Sequence, residues 1–174
     1  MIDPNTDPKG ETVDDYCRRR WGGAGWTNHL KQEGRKDGAQ FSDWKWWPHT
    51  SRAHQLVQYC HKNEVCSTDE VNQCLFRAEY ENGENISDVQ TLLKIGKELG
   101  LPEEKESELH EYLAKEQGKR GMEQEIKTGR QRYGIKGVPF FVVGKDDQGK
   151  SRPYAFSGAQ ASETFLELFE ELSS

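Results

Sequence analysis

The sequence predicts an α/β protein in which a run of helices precedes two strands and a closing helix. Two observations carry this. Between residues 53 and 133 apolar side chains recur three and four apart, the spacing that lines one face of a helix. At Phe140 the period changes to a continuous β-favouring run, Phe140-Phe141-Val142-Val143, followed by a second β-like segment. At 174 residues the chain has room for one substantial core or for one domain with a sizeable insertion.

The opening, residues 1–11, holds two Asp/Pro turns and a Gly, and reads as extended loop with Met1-Ile2 as a strand remnant. From residue 12 to about 20 the acids Asp14 and Asp15 precede the bases Arg18, Arg19 and Arg20. This is the charge order a helix dipole favours, and Gly22-Gly23 stops the helix. Another helical piece starts near Trp26. Residues 34–51 form a loop rich in aromatics, Phe41, Trp44, Trp46 and Trp47, which either lid a core or line a ligand cleft.

Four helices follow. Ala53, Leu56, Val57 and Cys60 share one face after a cap at Thr50 or Ser51, and Val71, Cys74, Leu75 and Ala78 repeat the pattern after Ser67-Thr68-Asp69-Glu70. Ser87 or Asp88 caps the third, which carries Val89, Leu92, Leu93 and Gly96 and stops at Gly100. The fourth, residues 103–117, holds Leu109, Tyr112 and Leu113. Residues 118–133 predict a long amphipathic helix with Met122, Ile126 and Tyr133 inward. The Phe140 strand, a turn at Asp146-Asp147-Gln148-Gly149 and a second strand at residues 152–157 then make a hairpin. A terminal helix capped at Ser162 packs on it through Phe165, Leu168, Phe169 and Leu172.

Net charge is −6 with acids and bases interspersed, which argues against a nucleic-acid footprint and against a basic membrane patch. No apolar stretch approaches the about 20 residues of a membrane span, and the N-terminus has no apolar signal-peptide core, so a soluble, cytoplasmic protein is expected. Cys17, Cys60, Cys66 and Cys74 contain no CxxC pair, and their spacing does not make a zinc knuckle, so no metal and no catalytic cysteine is assigned. Cys60 and Cys66, across a helix-to-loop boundary, are near enough for a disulfide. Cys60, though, lies near a helix C-terminus, where the dipole disfavours a thiolate. His54 and His61 sit two turns apart with no acid or nucleophile placed beside them, and read as surface or partly buried histidines.

Pro139 opens the most strand-like run in the chain although it has no N–H to give a sheet. An edge position, a strand start or a cis peptide bond each accounts for it. "YGIKGVPFFVV" followed by "FSGAQASETFLELFEEL" resembles the C-terminal signature of DsbA-family thioredoxin-like oxidoreductases of the FrnE-like branch. "HTSRAHQLVQYC" resembles the first helix of that family's inserted domain, with His49 where the family usually has Asn, and "IDPNTDPKGE" resembles the loop after its second strand.

The resemblance implies a thioredoxin-like (DsbA-like) fold with an inserted all-helical domain, incomplete at the N-terminus: the first strand, the CxxC helix and most of the second strand would precede Met1. It divides the chain into residues 1–48, a remnant of the first half, residues 49–118, the insertion, and residues 119–174, the C-terminal half. It further implies a thiol–disulfide oxidoreductase that is redox-inactive as this chain. The Val138–Pro139 bond would be cis, and Val138 and Pro139 would bind substrate, a protein thiol or disulfide or glutathione, without a cofactor. A glutathione-dependent isomerase or kappa-type transferase relative, or a non-enzymatic interaction module, are the alternatives. A sheet lacking its central strands leaves the Phe140 edge open, which predicts self-association.

Overall fold

The structure, a computed structural model, describes residues 5–145 and 152–173. The strand remnant expected at Met1-Ile2 and the turn expected at residues 146–149 lie outside the described residues. The chain divides into two compact units, one ending at Met122 and the other beginning at Glu123.

Helix α1, Val13–Trp21, begins where Thr12 Oγ1 accepts the Asp15 N–H at 3.1 Å. It ends at Gly22, whose φ of 77° is open to glycine at little steric cost and whose N–H donates to the Arg18 carbonyl. Just ahead, strand β1, Glu11–Thr12, pairs antiparallel with β2, Trp46–Trp47, in register Glu11 to Trp47. The aromatic loop therefore contains a short strand that its irregular pattern did not announce. Helix α2 spans Thr27–Lys36.

Helices α3, Ser51–Lys62, α4, Thr68–Phe76, α5, Val89–Glu98, and α6, Glu106–Ala114, enclose the main core. Leu56, Val71, Leu92, Leu109 and Leu113 are wholly buried, each removal from water being worth about 2 kcal/mol. Gln55 is buried among them with its polar atoms engaged: Oε1 accepts the Gly118 N–H at 3.0 Å and Nε2 donates to Ser51. A single π-helical turn, Arg77–Glu81, extends α4, and a 3-10 turn, Glu103–Lys105, leads into α6.

Two caps are strong. Asp88 accepts the Thr91 N–H at the start of α5. At α4 the Ser67 hydroxyl accepts the Glu70 N–H while the Glu70 carboxylate accepts the Ser67 N–H at 2.8 Å, a reciprocal box that satisfies two otherwise orphaned donors. Ser67→Ala is expected to lower unfolding free energy by about 1 kcal/mol in urea denaturation. An unchanged midpoint would mean water replaces the hydroxyl at no cost.

Helix α7, Lys119–Tyr133, crosses the division between the units. Met122 is buried and Ile126 half-buried, but Tyr133, expected inward, is 39% exposed. It is the last residue of the helix, before Gly134 turns the chain at φ 64°, and its ring packs instead under the Arg132 guanidinium at 5.4 Å. In the second unit strands β3, Phe140–Val143, and β4, Tyr154–Ser157, pair antiparallel, and helix α8 spans Ser162–Ser173. β4 is shorter than the segment 152–157 expected from sequence because it takes only the four residues that face β3. Phe165, Leu168 and Leu172 are half-buried, while Phe169, expected to pack with them, is 51% exposed: a two-stranded hairpin is too narrow to cover the whole apolar stripe. None of the described residues from Glu123 onward is fully buried. No helix among the described residues is long and apolar enough to cross a membrane.

Candidate functional site

The site begins with the hairpin. β3 and β4 align Phe140 with Ser157, Phe141 with Phe156, Val142 with Ala155 and Val143 with Tyr154. Phe141, Phe156 and Phe165 meet with ring centroids 4.9–5.6 Å apart, an aromatic wedge that fixes the hairpin against α8. Tyr154 Oη donates to Glu171 Oε1 at 2.5 Å from the far end. At the near end the Gly158 N–H donates to the Pro139 carbonyl at 2.9 Å, with Gly158 at φ 91°. Pro139 is thereby held by its carbonyl beside the start of β3.

The Val138–Pro139 peptide is cis. Val138 is 61% exposed. Its neighbour strand β3 has β4 on one side, and no other described strand pairs with it. Proline cannot donate to a ladder, so its place at the first residue before the strand costs the hairpin no hydrogen bond.

The cysteines are all free thiols. Cys17 lies buried beside Tyr16 and Val13, and burial raises its pKa. Cys60 is wholly buried in the main core, which pushes its thiol up to about 12. Cys66 and Cys74 are half-buried at the edge of that core. Burial, with Glu70 beside it, raises Cys66 as well. His54 and His61 stand exposed on α3. Among the described residues no group of three or more His, Cys, Asp or Glu side chains is arranged to hold a metal ion.

The aromatic cluster is larger than residues 34–51 alone indicate. Tyr16 stacks on Trp47 at 4.0 Å, and Trp21 and Trp26 meet Trp47 edge-on, so the α1 end, the α2 start and β2 converge. Trp44 and Trp47 cover the small core of Val13, Tyr16 and Cys17, whereas Trp21 and Trp26 remain 50% and 39% exposed. The sequence pattern missed the last two because they lie in different elements from the loop. Their only signal was residue type.

Helices followed by an aromatic-wedged hairpin opened by a proline and closed by an amphipathic helix make a mixed α/β chain of the kind that ends a thioredoxin-like domain. The model of the DSBA-like thioredoxin domain matches residues 29–170, and the chain belongs to that family, one of thiol–disulfide oxidoreductases. No curated protein sequence matches the chain.

Proposed function

We propose that this chain serves thiol–disulfide exchange of the FrnE-like type as a substrate-holding element, with Val138 and Pro139 receiving an extended cysteine-containing peptide or glutathione. The observation that supports this most is the exposure of Val138 immediately ahead of β3. An extended ligand laid there could pair with the backbone as an added strand, its side chains selecting against the apolar surface of Val138 and Val142. Exchange moves electrons between sulfurs and needs no prosthetic group.

Turnover is a different matter. Catalysis requires a thiolate at neutral pH and a second thiol to resolve the mixed disulfide. This sequence has no CxxC, and its cysteines are buried or half-buried. The 174-residue chain by itself is therefore expected to reduce insulin with dithiothreitol no faster than buffer, while binding ligand.

Amide chemical shifts during titration with glutathione and with a cysteine-containing peptide test the binding half. Shifts should concentrate at Val138, Phe140 and Phe141. Shifts confined to the helical unit would overturn the assignment of the site, and sustained insulin reduction would overturn the inactivity.

A further inference from the structure

The last turn of α3 places two cysteines together by a specific backbone device. Glu64 adopts a left-handed conformation at φ 53°, the Glu64 N–H donates to the His61 carbonyl at 3.2 Å, and the Val65 N–H donates to the Cys60 carbonyl at 3.0 Å. This closure reverses the chain on the helix end. Val65 and Cys66 consequently pack on the same core cluster to which Cys60 belongs. The two cysteines are thereby neighbours, close enough for each thiol to perturb the other.

Their surroundings differ. Cys60 lies in the last turn of α3, is wholly buried, and faces the negative end of that helix. Cys66 is half-buried and directly precedes Ser67, the cap of α4, at the positive end of a helix. The partly accessible thiol is therefore the one better placed to start an exchange, and the buried thiol the one placed to finish it.

We propose that Cys60 and Cys66 form a reversible dithiol that closes to an intramolecular disulfide on meeting a low-molecular-weight disulfide. Cys66 attacks one sulfur of that disulfide. The small S–S bond breaks, Cys66 becomes a mixed disulfide, and the departing half leaves as a thiolate that takes up the proton lost from Cys66. Cys60 then gives up its proton and attacks the Cys66 Sγ, releasing the second half. Two protein thiols have lost two electrons and two protons, and one small disulfide has become two thiols. The product joins the end of α3 to the start of α4. Burial, and for Cys66 the Glu70 carboxylate and the Cys74 thiol of α4, hold both thiols protonated, so the closure is slow and stoichiometric, unlike catalytic turnover. The inference is independent of the Val138–Pro139 reading.

The test incubates the folded full chain with oxidised glutathione in mildly alkaline buffer, alkylates the remaining thiols, and maps disulfides by peptide mass spectrometry before and after dithiothreitol. A Cys60–Cys66 linkage that dithiothreitol reverses, with Cys17 and Cys74 still alkylated, is the expected result. Cys60→Ser should instead trap glutathione on Cys66, and Cys74→Ser should leave the linkage intact. The proposal is overturned by a Cys66–Cys74 linkage, by glutathione accumulating on Cys66 of the unsubstituted chain without closure, or by four thiols that stay reduced until the chain is unfolded. The mapping of the unsubstituted chain decides the matter even if Cys60→Ser does not fold.

Discussion

Glu79→Gln is expected to stabilise the chain by about 4 kcal/mol in mildly alkaline solution and to change it little at about pH 5. Glu79 sits in the π-helical turn after α4, is 5% exposed, and has its carboxyl pushed up to about 8 from 4.5 with burial as the cause. The folded chain thus keeps a proton that the unfolded chain has already released above pH 4.5. Stability is full below that value and declines by about 1.4 kcal/mol per pH unit until the folded group also ionises. The amide has nothing to ionise, so it removes the decline. Urea denaturation of both forms across this pH range measures it. Parallel pH profiles would show that the carboxylate is ionised in the folded state at a cost the fold has already met.

Leu56→Ala is expected to cost about 3 kcal/mol, whereas Phe169→Ala should cost no more than about 1 kcal/mol. Leu56 is wholly buried in α3 at the centre of the main core, so truncation loses transfer free energy and leaves a cavity among tightly packed neighbours. Phe169 is 51% exposed on α8, and little is left empty when its ring goes. Denaturation midpoints followed by circular dichroism compare the two. A Phe169→Ala loss as large as that of Leu56→Ala would mean that the second unit has a core that accessibility does not reveal.

Local signals in the sequence carried most of the helices. The stripe Val71, Leu75, Ala78 and the Ser67/Glu70 pair mark α4 because both depend only on residues within a few turns. Glu79 lies eight residues beyond Val71, on that same stripe, yet a carboxylate is ordinarily assigned to solvent, so the apolar pattern reads only as far as Ala78. Trp21 and Trp26 join Trp47 through β1 and β2, two residues each, too short to leave a period. The approach of Cys66 to Cys60 rests on a left-handed Glu64, a position where a glycine or asparagine would have been the cue and glutamate is none. Pro139 and Val138, by contrast, were conspicuous, since a proline beside a four-residue apolar run has few places to go.

The aromatic cluster has a photophysical consequence. All five tryptophans, at positions 21, 26, 44, 46 and 47, fall in the unit that ends at Met122, and none lies beyond it. Indole emission therefore originates in that unit, while peptide-bond absorption comes from both. The second unit, in which none of the described residues is fully buried, holds no indole to report its own loss of order. The offset between the two optical signals on heating measures how far the units melt as one, with no added dye and no substituted residue.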